Sequence, residues 1–337
     1  MKLLVTGGAG FIGSSFVRMA LNQGWAEQVV NFDKLTYAGN PDNVLPVADH
    51  PGYRFVHADI CDSEAVEAVF ARESPDAVIH FAAESHVDRS IHSPAPVIQT
   101  NFNGTFTLLE AARRHNIARF IHVSTDEVYG SIEAPHDADE TYPLRASSPY
   151  SASKAGSDLL ALSYYTTYKM NVSVTRASNN YGPYQFPEKL IPLMISNALE
   201  DKPLPVYGDG QQVRDWLYVE DHCRAIFAVL KKGRPGEIYN IGGNCSLPNL
   251  DVIHRILKAT GKPETLITQV KDRPGHDRRY ALTNAKLTKE TGWEPLMDFD
   301  RGLNATIDWY RKNGAWTQRI KSGEYLRFYE LNYSNRA

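Results

Sequence analysis

The chain has 337 residues, 42% of them hydrophobic and 22% charged, which is typical of a globular protein long enough for two structural units. Its net charge of −3 excludes a strongly basic surface, so no nucleic-acid or membrane partner is expected. No apolar run is long enough to cross a bilayer, and no signal-peptide pattern opens the chain, so we expect a cytoplasmic protein. Cys61, Cys223 and Cys245 lie far apart, which predicts neither a metal site nor a disulfide framework.

The first predicted elements are a strand at Lys2–Thr6 and a helix, joined by the run GGAGFIG. Gly7, Gly10 and Gly13 would allow a tight turn, close approach of the backbone to a pyrophosphate, and close packing of helix on strand. The free N–H groups at the start of that helix favour an anion. A turn that needs glycine for backbone reasons alone is the alternative, but the surrounding elements favour a dinucleotide site.

A second predicted strand ends at Asp33, which lies 20 residues after Gly13. A carboxylate there suits the 2′-hydroxyl of NAD and repels the 2′-phosphate of NADP. Lys34 would weaken that repulsion. The sequence therefore favours NAD as cofactor, with NADP as the alternative.

Strands and helices keep alternating as far as about Arg176, after which prolines, aromatics and loops become frequent. Alternation of this kind predicts an α/β fold, a Rossmann-type doubly wound parallel sheet with a smaller C-terminal substrate-binding domain. One helix on the way is expected to be capped by Ser63. We expect a cofactor domain at 1–176, rejoined by about 215–241, and a substrate domain at 177–214 and 242–337.

A polar run, Ser124–Gly130, follows a predicted buried strand at Arg119–Val123. In an open parallel sheet, ligands bind beyond the carboxyl ends of the strands. Adjacent carboxyls such as Asp126 and Glu127 can hold different protonation states, one as acid and one as base. Acids that only cap the next helix are the alternative. Since an alcohol oxidation needs one acid/base group, the added pair suggests a second reaction beside a redox step.

Tyr150 and Lys154 are four residues apart in a predicted helix. That spacing places both side chains on one face, about 6 Å apart along the axis. A nearby ammonium stabilises a phenolate and lowers its pKa, so the pair is suited to take a proton from a hydroxyl as hydride leaves the carbon. Two residues on an exposed helix face would be the alternative.

These motifs together resemble the nucleotide-sugar enzymes of the extended short-chain dehydrogenase/reductase superfamily and, within it, the dTDP-glucose 4,6-dehydratase family. The Thr125-Asp126-Glu127 triplet is the specific part, because the related 4-epimerases carry small hydroxyl residues in place of both acids and the related decarboxylases retain only the glutamate. The resemblance runs nearly from end to end. It is carried by Thr6–Gly13, Phe32–Asn40, Ala82–Asp88, Ser124–Gly130, Tyr150–Lys154, Asn179–Tyr184, Arg214–Trp216 and Asp272–Tyr280.

What the resemblance implies is a closed redox cycle on dTDP-glucose, with NAD as the cofactor. Tyr150 would deprotonate the 4-hydroxyl, supported by Lys154, while Thr125 holds that oxygen and hydride passes to NAD. Glu127 would remove the C5 proton, Asp126 would protonate the departing 6-hydroxyl, and the hydride would return to C6. The product would be dTDP-4-keto-6-deoxyglucose, used in deoxysugar biosynthesis.

The resemblance also implies two sets of binding residues. The cofactor set is Gly7, Gly10, Phe11, Ile12, Gly13, Asp33, Lys34, Thr36, Asp59, Ile60, Ala82, Tyr150 and Lys154. The substrate set is Ser85, Thr125, Asn179, Glu188, Lys189, Pro205, Tyr207, Arg214, Asn249, Arg273, His276 and Tyr280. A surface ion pair is the alternative for Arg273, and a packed core tyrosine is the alternative for Tyr207.

The family pattern implies a homodimer formed through two helices, about Val97–His115 and Tyr150–Tyr168. Three alternatives stay open for the activity: a 4-epimerase or decarboxylase on the same fold, the same dehydration on a UDP-sugar, and an NAD-binding regulatory protein without turnover. The sequence alone does not separate thymidine from uridine nucleotides.

Overall fold

In a computed structural model, the described part of the chain comprises residues 1–321 together with Arg327 and Tyr329, so the end of the predicted domain 242–337 lies outside it. Its strands are β1 (Lys2–Thr6), β2 (Gln28–Asp33), β3 (Tyr53–His57), β4 (Ala77–His80), β5 (Arg119–Thr125), β6 (Val172–Ala177), β7 (Asn179–Tyr181), β8 (Leu204–Tyr207), β9 (Val213–Tyr218), β10 (Ile238–Ile241), β11 (Ser246–Pro248) and β12 (Ile267–Val270). Its α-helices are α1 (Phe11–Asn22), α2 (Ser63–Glu73), α3 (Val87–His92), α4 (Ala95–Val97), α5 (Thr105–Arg114), α6 (Pro149–Tyr168), α7 (Leu190–Leu199), α8 (Val219–Lys232), α9 (Asn249–Thr260), α10 (Ala285–Thr291), α11 (Phe299–Lys312) and α12 (Gly314–Ile320). Short 3₁₀ segments lie at Pro41–Val47, Asp126–Tyr129 and Glu264–Leu266, and a π-helical segment lies at Ile98–Gly104.

The main sheet has seven parallel strands in the order β3-β2-β1-β4-β5-β6-β10. Strand order reverses between β1 and β4, so the carboxyl ends of these two strands open a crevice at that point. The predicted Rossmann-type α/β fold is confirmed. Strand β10 pairs with β6, so the chain returns to the main sheet after β9.

Helices cover both faces of this sheet and bury a separate apolar layer on each. On one face, Phe16 of α1 and Val229 of α8 pack in the same buried cluster. On the other face, Leu108 of α5 and Ala161 of α6 pack with residues of α2. Because parallel sheets are buried on both sides, their strands are almost uniformly apolar, as β1 and β4 are.

Two helix starts show how local polar residues set the fold. Helix α2 is capped by Asp62, whose carboxylate accepts hydrogen bonds from the N–H groups of Glu64 and Ala65, so the expected Ser63 cap is wrong by one residue. The aspartate at the preceding position satisfies the free N–H groups at this end of the helix. Helix α6 begins with a capping box between Ser148 and Ser151, which fixes the first turn that carries Tyr150.

The later part of the chain forms two small sheets, in the orders β11-β9-β7 and β12-β8. Helices α7, α9 and α11 pack on them around a third apolar cluster. The division of the chain into two domains at the predicted boundaries stays a prediction. Within the described residues, no helix combines the length and the apolar character needed to span a membrane.

Candidate active site

The glycine turn between β1 and α1 leaves no room for side chains. Gly7 has a φ of +72°, and a Cβ there would lie 2.6 Å from the backbone nitrogen of Ala82. A Cβ on Gly13 would overlap the carbonyl oxygen of Gly7. The start of the glycine turn is therefore in close contact with the segment after β4 and with the first turn of α1, and these contacts form one wall of a cavity at the crevice of the main sheet.

Asp33 lies at the end of β2 with its carboxylate fixed by the backbone. Its oxygens accept hydrogen bonds from the N–H groups of Ala9 (2.9 Å) and Leu35 (2.8 Å). Burial raises its pKa, against the lowering effect of these bonds. The neighbouring Lys34 ammonium lies 2.5 Å from the Asp59 carboxylate, so its positive charge is already compensated. This pairing favours a 2′-hydroxyl over a 2′-phosphate beside Asp33.

The first cavity has a volume of about 330 Å³ and runs from the glycine turn to the end of β5. It brings together the whole predicted cofactor set and, from the other predicted site residues, Ser85, Thr125, Asp126, Glu127, Asn179, Glu188 and Lys189. The bare glycine wall and the fixed Asp33 carboxylate fit a dinucleotide with a free 2′-hydroxyl. The individual roles of these residues stay predictions.

The two adjacent acids follow β5; Asp126 is buried, and Glu127 is half-buried in the cavity wall. Thr125 caps the short 3₁₀ segment, and its hydroxyl accepts from the Glu127 N–H and contacts an Asp126 oxygen, each at 3.3 Å. Burial and the adjacent Glu127 raise the pKa of Asp126 well above its usual range. Burial also raises the pKa of Glu127, but Arg273, Lys189 and Arg214 oppose the shift. Asp126 is therefore suited to be the acid of the pair and Glu127 the base.

Tyr150 and Lys154 lie on α6 against the end of β5. Burial, followed by Glu127, raises the pKa of Tyr150, while the Thr125 side chain opposes this effect. Lys154 Nζ donates to the carbonyl of Val123 at 2.8 Å. Burial lowers the pKa of Lys154 to about 8, partly offset by Asp158. The expected lowering of the Tyr150 pKa by Lys154 stays a prediction.

A second cavity, of about 150 Å³, opens from the first. The two share Glu127, Asn179, Glu188, Lys189, Leu190 and Trp216. The second cavity is lined by the remaining predicted substrate residues, Pro205, Tyr207, Arg214, Asn249, Arg273, His276 and Tyr280. The shared wall therefore places Glu127 between the two cavities, whereas Asp126 lines the first cavity only.

Two arginines, Arg214 and Arg273, line the second cavity. Arg214 stacks over the Tyr280 ring at 4.2 Å and donates to the carbonyls of Val213 and Asp277. Arg273 lies 3.4 Å from Asp88, and its Nη1 is buried without a hydrogen-bond partner among the described residues. Burying such a donor is costly, so an anionic ligand that accepts from it would be favoured.

Tyr207 lies at the cavity wall rather than in a closed core. Its hydroxyl donates to Asp88 at 2.8 Å, and its ring meets the edge of His276 at 5.9 Å between centroids. The side-chain oxygen of Asn249, also in this wall, is buried without a hydrogen-bond partner in the part of the chain that the structure describes. A planar base with N–H donors would suit these two residues; stacking by Tyr207 stays a prediction.

Some residues in or near the first cavity had no predicted role. Asn180 hydrogen-bonds His222 at 2.9 Å in the first cavity, and Trp216 lines both cavities. Asn180 and Trp216 lie in motifs that carried the resemblance, so that signal was present. Asp158 follows Lys154 at the same four-residue spacing that revealed the Tyr150–Lys154 pair, and extending the spacing by one turn would have found it.

The seven-stranded sheet, its glycine turn and the Tyr150–Lys154 pair define a Rossmann-type enzyme of the extended short-chain dehydrogenase/reductase superfamily. A family model described as GDP-mannose 4,6 dehydratase matches residues 4–306, and the chain belongs to that family.

Known relatives place the chain more narrowly. It is 51% identical to a dTDP-glucose 4,6-dehydratase of Shigella flexneri over all of both chains. It is 53% identical to one of Neisseria meningitidis, over 96% of this chain and 97% of the relative. The crystal structure of the dTDP-glucose 4,6-dehydratase DesIV from Streptomyces venezuelae, with NAD bound, covers 95% of this chain and all of its own, with a TM-score of 0.93 and 49% identity.

A functionally different enzyme shares the fold. The Thermus thermophilus UDP-glucose 4-epimerase, in complex with NAD, covers 93% of this chain and all of its own, with a TM-score of 0.86 and 33% identity. The fold and the cofactor site alone therefore do not separate the two activities. The distinction has to come from residues of the site, above all from Asp126 and Glu127.

Proposed function

We propose that this chain converts dTDP-glucose to dTDP-4-keto-6-deoxyglucose and water, with NAD as the cofactor. The observation that carries the proposal is the adjacent Asp126–Glu127 pair, which lines the first cavity together with Tyr150 and reaches the second cavity through Glu127. An epimerase needs only one acid/base group, at C4, and Tyr150 can supply it. An additional pair of carboxyl groups would have no role in that reaction. The dTDP-glucose 4,6-dehydratases among its relatives support this assignment.

The reaction divides into proton movements, each of which is assigned to one side chain. NAD, when bound in the first cavity, would supply the hydride acceptor for C4 and the hydride donor for C6. Tyr150 takes the 4-hydroxyl proton, and the Lys154 ammonium stabilises the resulting phenolate. The 4-ketone acidifies C5, so Glu127 removes that proton and returns a proton to C5 when the hydride is added at C6. Asp126, held protonated by burial, gives its proton to the departing 6-hydroxyl.

The residues of the second cavity would hold the nucleotide. Arg214 and Arg273 suit a diphosphate, because the guanidinium fork donates paired hydrogen bonds to phosphate oxygens. Closing the sugar between the two cavities would keep water from the reactive intermediate that has lost the 6-hydroxyl.

An isotope experiment tests the whole cycle. Substrate deuterated at C4 should give product deuterated at C6, while C5 acquires a hydrogen from solvent through Glu127. We expect mass spectrometry and NMR of the product to show this pattern with no net consumption of NAD. Deuterium in free reduced cofactor would indicate a simple dehydrogenase, and deuterium retained at C4 of a sugar that keeps its 6-hydroxyl would indicate an epimerase. A panel of dTDP-, UDP- and GDP-glucose would identify the nucleotide.

We also propose that the protein acts in the cytoplasm as a homodimer. Its three cysteines are free thiols, in keeping with a reducing compartment. The predicted dimer helices correspond to α6 and to the continuous segment from α4 through the π-helical Ile98–Gly104 to α5. These helices expose large apolar side chains, namely Ile98, Phe102, Phe106, Leu159 and Tyr168. An apolar face of this kind favours a partner surface.

Introducing charge on that face should separate the subunits. Phe106→Glu with Leu159→Glu would place four carboxylates in a two-fold interface, where charges are strongly unfavourable. We expect the double variant to be monomeric by light scattering at concentrations where the parent is dimeric. Leu296→Glu is the matched control, because this leucine is 72% exposed and lies outside both helices. A monomeric parent, or a double variant with unchanged mass, would contradict the proposed interface.

A further inference from the structure

Asp158 is a buried acid that has no part in the proton transfers of the proposed reaction. It lies on α6 one helical turn after Lys154, so Tyr150, Lys154 and Asp158 follow one another at four-residue intervals along one face. The Asp158 side chain is fully buried, and Lys154 is 4% exposed. A buried charge at this spacing acts on its neighbour with little screening from water.

The carboxylate of Asp158 is held from two strands of the main sheet. Arg176 on β6 donates from Nε to one oxygen at 2.9 Å, and His122 Nε2 on β5 lies 3.3 Å from the other. Arg176 also donates to the Tyr129 hydroxyl at 3.0 Å, which fixes the guanidinium. These contacts hold Asp158 against the sheet, and, unlike Lys154, it does not line the first cavity.

The other titratable groups near Lys154 give its ammonium no support. His80 on β4 and His122 on β5 are both fully buried, and the Lys154 charge itself helps to lower their pKa values. Burial holds the pKa of His122 near 4, so it is neutral in the physiological range. Tyr150, on the same helix, is neutral until it gives up its proton. Among the described residues, Asp158 is thus the charged group that favours the ammonium form of Lys154.

We propose that Asp158 is a positioning residue that keeps the buried Lys154 ammonium charged, so that it can stabilise the Tyr150 phenolate during proton transfer. The inference rests on the proposed function, because it assigns Lys154 and Tyr150 their roles there. An Asp158 that served only to pin α6 to the sheet through Arg176 would affect stability alone. In the proposed role, the negative charge of Asp158 matters as well as its packing.

Two variants break the same buried ion pair from opposite sides. Asp158→Asn removes a negative charge near Lys154 and should lower the pKa of Lys154 by about one pH unit, as loss of an opposite charge does. Arg176→Gln removes a positive charge and should raise that pKa. The titration can be read by NMR from the ¹³Cε shift of Lys154 in protein with labelled lysine, assigned by comparison with Lys154→Met. The basic limb of the kcat profile should move in the same two directions.

The opposite signs separate the proposal from a structural role. If both variants lose stability but leave the Lys154 titration where it was, or move it in the same direction, the proposal is wrong. Asp158→Glu should restore the parent titration at least in part. If Asp158→Asn does not fold, the rise expected for Arg176→Gln still decides the question. The NMR titration needs no turnover, so a parent that is inactive on dTDP-glucose would defeat the proposed function and leave this test intact.

Discussion

Tyr150→Phe should lower turnover of dTDP-glucose by about 10²–10⁴-fold, the range associated with a general base, while NAD binding is retained. The ring is 8% exposed and packed at the start of α6, and phenylalanine keeps this packing. The change removes the hydroxyl that we propose takes the proton of the sugar 4-hydroxyl. Oxidation at C4 comes first, so no later step can compensate for its loss.

Steady-state turnover and NAD affinity, the latter by calorimetry, measure the two effects separately. Tyr164→Phe is the matched control, since Tyr164 lies on the same helix but its hydroxyl donates to Glu110, at 2.7 Å. That variant should turn over at nearly the parent rate. Near-parent turnover by Tyr150→Phe would remove Tyr150 from its assigned role, and a parallel loss of NAD affinity would point to a binding defect instead.

The fold was largely readable from the sequence because its signals are local. The glycine turn, the apolar strands and the acid at the end of β2 lie within 33 residues, and each depends on neighbours in the chain. The small sheet of β7, β9 and β11 is different, because two of its strands have only three residues each. Such strands are set by their partners rather than by any periodic pattern, so sequence reasoning could not place them.

The candidate site was predictable as a set of residues but not as an electrostatic arrangement. The sequence places Asp126 beside Glu127, yet only the structure shows that basic residues act more strongly on Glu127. The same holds for Lys34, whose charge is compensated by Asp59 from the loop after β3. Contacts between distant parts of the chain decide these protonation states, and spacing along the sequence does not report them.

Asp126 and Glu127 are expected to differ in protonation state, so replacing each one should block a different step of the reaction. With Glu127→Gln no base remains for the C5 proton, although Tyr150 still serves the first oxidation. The sugar oxidised at C4 should therefore accumulate on the variant, together with the near-ultraviolet absorbance of reduced cofactor. With Asp126→Asn the base remains, but the 6-hydroxyl has no proton donor and cannot leave as water.

Glu127→Gln and Asp126→Asn should each lower product formation by about 10²–10⁴-fold, and solvent exchange at C5 separates them. In deuterated water, Asp126→Asn should still exchange the C5 hydrogen of bound 4-keto sugar through Glu127, whereas Glu127→Gln should not. Mass spectrometry of the sugar recovered after a single turnover measures both. The two substitutions are isosteric and the side chains adjacent, so each serves as the steric control for the other.

Equal exchange in both variants would mean that Glu127 is not the C5 base. Rapid product formation by Asp126→Asn would mean that the departing hydroxyl takes its proton from another group. In that case the Asp126–Glu127 pair would no longer distinguish this chain from an epimerase.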